Sequence, residues 1–188
     1  MQPDNCRPQP VACSVPSPIG HALAGLTLGW AVAPPPSSPR AAWTQAAIFA
    51  ALGTAPDLDL LIGRHRAESH SVGAAIIVAT VAVIMRWPIA RSGGRIWLAV
   101  FLAWFSHPVL DALGTDKAAP LGILAWWPFS RDYFLTGWDV FLPIPRKWTE
   151  HGFTWQVMRA AARETMILLP FATLIFWLRT RVWRGRAE

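Results

Sequence analysis

Four of the five apolar stretches in this 188-residue chain open or close on histidine and aspartate, and that placement constrains the fold more than any other feature. The stretches run from Ile19 to Ala33, Ala41 to Ala55, Val72 to Trp87, Ile96 to Leu113 and Thr165 to Leu178. At their mouths lie PIGH (His21), PDLD (Asp57, Asp59), RHRAESHS (His65, His70) and SHPVLD (His107, Asp111). Polar and ionisable groups beside lipid-length apolar segments are costly, so they are read first as functional.

Composition points to a membrane. Hydrophobic residues make up 53% and charged residues 15%, with twelve Trp, unlike an ordinary soluble domain. Most stretches are shorter than the ~20 residues that cross a bilayer core squarely, but a helical turn of motif residues lengthens each of them. Trp30, Trp43, Trp87, Trp97, Trp177 and Trp183 stand near stretch ends, where an aromatic belt sits. The net charge of +6 is spread over loops and the C-terminal end rather than gathered in an aromatic-lined groove. A nucleic-acid partner is therefore not expected. Cys6 and Cys13, the only cysteines, have the wrong spacing for a zinc knuckle, which excludes a cysteine-ligated metal. Residues 1–18 form a Pro-rich tail expected to be disordered, with no apolar core of a cleaved signal peptide.

The expected architecture is all-α: a multi-pass membrane helix bundle of four or five spans, one domain over residues 19–188. Pro34-Pro35-Pro36 and Arg91-Ser92-Gly93-Gly94-Arg95 break neighbouring helices. Residues 114–153 are too apolar for a solvated linker and too Pro-broken for a span, and read as an interfacial aromatic lid. Thr154 to Arg184 reads as one long helix, with Pro170 as a candidate kink.

In an up-down bundle the start of the first helix, the end of the second, the start of the third and the end of the fourth share one face. That topology alone collects His21, Asp57, Asp59, His65, His70, His107 and Asp111. Imidazole with carboxylate suits a divalent cation, zinc or manganese first. His107 and Asp111, at i and i+4, share a helix face, although Pro108 biases the residue before it away from helical geometry. Asp57 and Asp59 sit on a Pro-led turn and need not face one ion, so Asp59 is also a candidate to orient a histidine. Each motif alone has a bland reading: an interfacial His21, a capping PDLD loop, a basic lip at RHRAESHS, a satisfied core His107. His151 reads as a surface residue.

The order His, PDLD, HR-x-x-Ser-His-Ser, His-x-x-x-Asp and WPF, over about Ile19 to Ser130, resembles the YdjM-like family. That family is described as inner-membrane-associated, metal-dependent hydrolases, sometimes with a LexA-binding label. The resemblance implies a multi-pass inner-membrane protein with His21, Asp57, His65, His70, His107 and Asp111 as metal ligands, and Arg66 and Ser71 in support. The chain departs from the family at Ala67-Glu68-Ser69, where a Gly-Leu-Thr-like run is commoner, and at Pro108, where an aliphatic residue is commoner.

Hydrolysis of a phosphoester or lipid-like substrate at the metal is the favoured function, with membrane lipid or a small molecule as partner. Asp59 and Glu68 are the general-base candidates, and Arg66 is suited to holding phosphate oxygens. A structural metal site without catalysis is one alternative. A metal or ion transporter is the other, disfavoured because the acids lie at one end and no repeat is visible. Arg179, Arg181, Arg184 and Arg186 directly after the last apolar stretch place the C-terminus in the cytoplasm and the histidine face outside, if five helices span.

Overall fold

The computed structural model describes residues 16–62, 66–116, 120–144, 149 and 151–184. Its α-helices are α1 (Pro18–Val32), α2 (Pro39–Thr54), α3 (Val72–Ile84), α4 (Gly93–Leu113) and α5 (Phe153–Arg184). Two 3₁₀ helices, Ala55–Ile62 and Glu68–His70, lie between α2 and α3. Among the described residues there is no strand, only isolated bridges pairing Gly114 with Phe141 and Ile123 with Phe134.

The helix starts are written in the sequence. Ser17, Ser38 and Ser71 each stand at an N-cap, their hydroxyls accepting from Gly20, Ala41 and Ala74 N–H at 3.1, 3.2 and 3.0 Å. Pro18 and Pro39 follow two of these caps, at the first helical position where a missing N–H costs nothing. The helices alternate in direction. Close approaches pair Gly25 with Gly53 across α1 and α2, and indole Nε1 of Trp97 donates to the Thr80 hydroxyl across α3 and α4 at 3.2 Å.

Among the described residues three stretches are long and apolar enough to cross a membrane: Pro39–Ile62, Gly93–Leu113 and Phe153–Arg181. The sequence reading of four or five spans is thus met for three. Serine caps and the proline loop hold α1 to 15 residues and α3 to 13, so each rises only about 20 Å. Lipid-facing character is plainest in α5, where only 6% of the most apolar window is buried and Phe171, Phe176 and Trp177 are exposed. A water-soluble bundle does not leave so long an apolar helix uncovered.

Small residues let the remaining helices approach closely. Ala75, Ala79 and Ala82 of α3 meet Ala99 and Ala103 of α4 with no exposure, and Phe49 fills the space beside them. A Cβ on Gly25 would stand 2.6 Å from the Phe49 carbonyl oxygen, so that crossing of α1 and α2 requires glycine.

α1 is held at both ends by α5. Fully buried Glu164 accepts from the Ser17 backbone N–H at 2.7 Å and from the Ser17 hydroxyl. At the other end the Arg179 guanidinium donates to the carbonyls of Trp30, Ala33 (2.6 Å) and Pro34 (3.0 Å) and to the Gln45 side chain (3.3 Å). An acid at the positive end of a helix and a cation at its negative end both complement the helix dipole.

Residues 120–144 run in irregular conformation across the start of α3. The carbonyls of Ala125 and Trp127 accept from the N–H groups of Val72 (2.9 Å) and Gly73 (3.1 Å), which serves the first turn of α3.

Candidate metal centre

The buried stripe of α4 explains how its ligands are aimed. Ile96, Ala99, Val100 and Ala103 form the apolar part, and the same face continues as Ser106, His107, Leu110 and Asp111. Pro108 lies inside a continuous helix, so the pair is not split by a kink or a restart. His107 and Asp111 stay one turn apart on the buried face, with 0% and 4% exposure.

The 3₁₀ helix Ala55–Ile62 and the turn Glu68–His70 bring in the rest. The His70 ring lies between the two carboxylates of PDLD: Asp57 Oδ1 is 3.5 Å from its Nε2, and Asp59 Oδ2 is 3.2 Å from its Nδ1. The Ser69 hydroxyl donates to Asp59 at 2.6 Å and stands 3.0 Å from the same Nδ1. Indole Nε1 of Trp104 donates to the Ser69 carbonyl at 3.0 Å, which ties this turn to α4.

Both tautomers follow from these contacts. His107 Nδ1 lies 2.7 Å from the Gly53 carbonyl, which can only accept, so Nδ1 carries the proton. His70 Nδ1 faces Asp59, which accepts in the same way. The two Nε2 atoms, bare of those protons, then confront each other at 3.0 Å. Asp111 Oδ2 is 3.3 Å from His70 Nε2 and 3.4 Å from His107 Nε2, and Asp57 Oδ1 is 3.4 Å from His107 Nε2. Lone pairs and carboxylate oxygens turned inward repel one another unless a cation lies among them.

A divalent metal fits this donor set. Donors at 2.0–2.1 Å from a tetrahedral ion stand about 3.4 Å apart, and His70 Nε2, His107 Nε2 and Asp111 Oδ2 lie 3.0 to 3.4 Å from one another, with Asp57 Oδ1 3.4 to 3.5 Å from the two imidazoles. Both Asp111 carboxylate oxygens are buried and make no hydrogen bond among the described residues. Buried polar atoms of this kind demand a partner.

His21 enters from the start of α1. Its ring stacks on His107 at 3.6 Å between centroids, and its Nε2 is 3.3 Å from Asp111 Oδ1. Neither ring nitrogen is hydrogen-bonded among the described residues, and the residue has no exposure. His21, Asp57 and His107 also present donor atoms within 4.8 Å of one another. Asp57 is the open side of the cluster, its side chain 20% exposed.

Burial opposes charge on His70, but the Asp57 and Asp59 hydrogen bonds and the Asp111 charge outweigh it and raise its pKa above the ordinary value. With one proton held on Nδ1, the second falls on Nε2, where it competes with a cation.

The structure therefore brings together His21, Asp57, His70, His107 and Asp111, with Asp59 behind His70. His65 lies outside the described residues. Glu68 is half-buried at the start of the turn that carries His70. Arg66, at 5% exposure, pairs through Nη1 with Asp116, which also accepts from Gly122 N–H at 2.7 Å. Ser71 caps α3 and donates to the Glu68 carbonyl. Sequence reasoning did not single out Ser69, the Gly53 carbonyl, Asp116 or Glu164. Ser69, lying within the histidine motif, was the one with a signal.

If Asp59 holds the His70 proton, Asp59→Asn should cost roughly 10–100-fold in metal affinity while leaving the helices intact. Titrating zinc into the variant checks this, and an unchanged dissociation constant would remove Asp59 from the centre.

Fold and site together define an all-helical inner-membrane protein with a buried histidine–aspartate cluster at one end of its bundle. Residues 17–186 match the family model described as YdjM inner membrane protein, and the chain belongs to that family. No curated protein and no solved structure matches the chain.

Proposed function

We propose that the protein is a membrane-bound, metal-dependent hydrolase acting on a phosphoester of amphiphilic or lipid-like character. The observation that carries this reading is the pair of Nε2 atoms of His70 and His107, 3.0 Å apart, turned toward each other by the Nδ1 contacts to Asp59 and Gly53 and faced by Asp57 and Asp111. Those four residues would hold the ion, zinc or manganese, with His21 and Asp111 Oδ1 as further donors. A bound ion would supply Lewis acidity and a lowered pKa for water.

The chain's own groups divide the remaining work. Asp59 and Ser69 fix the His70 ring. Glu68, outside the quartet, is the carboxylate left to accept a proton from water. Arg66 would reach a phosphate only by exchanging Asp116 for it, so we assign it first to pinning Asp116 and Gly122, within the proposed lid of residues 114–153, beside the centre. Substrate would enter at Asp57, where Leu58, Leu61 and Ile62 are exposed and offer an apolar approach.

Four protein donors also suit a closed structural metal site, and this second reading rests on the near-complete burial of all but Asp57. Turnover of phosphodiester and phospholipid substrates by metal-loaded protein, compared with His70→Ala, separates the two. Metal-dependent turnover lost in the variant supports the hydrolase, and stoichiometric metal without turnover supports the staple.

Orientation is tested separately. The loops opposite the centre and the end of α5 carry arginine and no acid within residues 33–45, 85–95 and 175–181, so this end should face the cytoplasm. A C-terminal fluorescent reporter should be bright, and an alkaline phosphatase fusion at the same point inactive. The reverse pattern inverts the topology.

A further inference from the structure

The end of the bundle opposite the centre has its own cavity, of about 630 Å³, between the loop joining α1 to α2 and the loop joining α3 to α4. We propose that it is a binding site for the phosphate headgroup of an anionic phospholipid. This inference does not depend on the hydrolase reading.

Charge comes first. Arg91 and Arg95 line the cavity, and neither side chain makes an ion pair or hydrogen bond among the described residues. No acidic residue lies in the cavity wall. Two guanidinium groups facing a shared space with no counter-charge repel each other, and an anion between them relieves that repulsion. Arginine matches phosphate oxygens with a planar fork, and phosphate is the anion that a lipid headgroup supplies.

Rigidity comes second. Pro34, Pro35 and Pro36 form one wall and Pro88 belongs to the other. Buried Gln45, at 4% exposure, ties the walls together by donating to the carbonyls of Ile89 at 3.1 Å and Pro34 at 3.4 Å. Arg179 reaches the same Gln45 from α5. A cavity whose walls are fixed before binding loses little entropy when it fills.

Location comes third. The cavity opens at the helix ends, where headgroups lie, and exposed Ile84 and Met85 beside it continue into the lipid-facing surface of α3. The cavity is an open cleft whose volume lies in the range of small-ligand sites.

The test uses the full chain in neutral detergent with EDTA, so that no metal centre competes for phosphate. Native mass spectrometry then measures retention of dioleoylphosphatidylglycerol against dioleoylphosphatidylcholine. The wild type should hold one phosphatidylglycerol about tenfold more tightly than phosphatidylcholine. Arg91→Gln/Arg95→Gln should lose that preference, whereas Arg40→Gln/Arg86→Gln, which removes the same charge outside the cavity wall, should keep it. Circular dichroism melting confirms that both variants are folded. Equal retention of the two lipids, or equal loss in both double variants, overturns the proposal in favour of diffuse attraction to the surface. Displacement of phosphatidylglycerol by millimolar inorganic phosphate overturns the lipid occupant and leaves a site for the free anion.

Discussion

His107→Ala should empty the protein of divalent metal and leave the bundle assembled. Its Nε2 meets three other donors, His70 at 3.0 Å and Asp57 and Asp111 at 3.4 Å. Alanine removes that shared vertex, and Asp57 and Asp111 keep their negative charge but lose the imidazole that joins them to His70. The expected loss of metal affinity exceeds about 100-fold, the upper end of what deleting an outer-sphere partner costs. Folding should suffer less. The variant leaves the Gly53 carbonyl without its donor, worth about 1–3 kcal/mol, while the apolar stripe from Ile96 to Ala103 remains packed. Metal analysis of the purified variant, beside its melting curve, reads both quantities. Wild-type metal stoichiometry would make His107 a core histidine.

Arg179→Ala should produce the largest loss of stability of any single substitution on α5. The guanidinium serves the last carbonyls of α1 and the Gln45 side chain, and it lies 5.6 Å from the Trp30 ring centroid. Charge-assisted hydrogen bonds at a desolvated helix end cost about 3 kcal/mol to remove, the orphaned acceptors included. For a chain of this size that lowers the melting midpoint by about 5–10 °C. Arg179→Lys should recover less than half, because an ammonium cannot fork between the two sets of acceptors. A midpoint within 1–2 °C of wild type, about the shift a surface substitution gives, would show that water replaces the guanidinium at no cost.

The convergence of His21, Asp57, His70, His107 and Asp111 was legible because it follows from alternating helix direction and from which end of each apolar stretch carries the motif. The long α5 was legible from its basic ends and apolar middle. Helix length was harder to read. The serine caps and the proline loop fix the ends of α1 and α3 more sharply than hydropathy does, and three of the expected four or five spans are long and apolar enough to cross a membrane. Pro108 shows the limit of a local rule. The tendency of a residue before proline to leave helical geometry is overridden by the tertiary packing that buries His107 and Asp111 together. Arg179 reads in sequence as one more positive charge near a membrane face, but its guanidinium turns inward onto carbonyls. Backbone acceptors such as Gly53 carry no residue signature, so the contact that fixes the His107 tautomer was invisible until the chain was folded.

The two-ended grip of α5 on α1 also orders the assembly of the molecule in time. Every residue of the described cluster is synthesised by position 111, whereas Glu164 and Arg179 leave the ribosome at least fifty residues later. Until then α1 has neither its acid nor its cation, and the helix carrying His21 is secured by α2 and α4 alone. α5 thus completes the hold on the helix that carries His21 only after every donor of the cluster has been made.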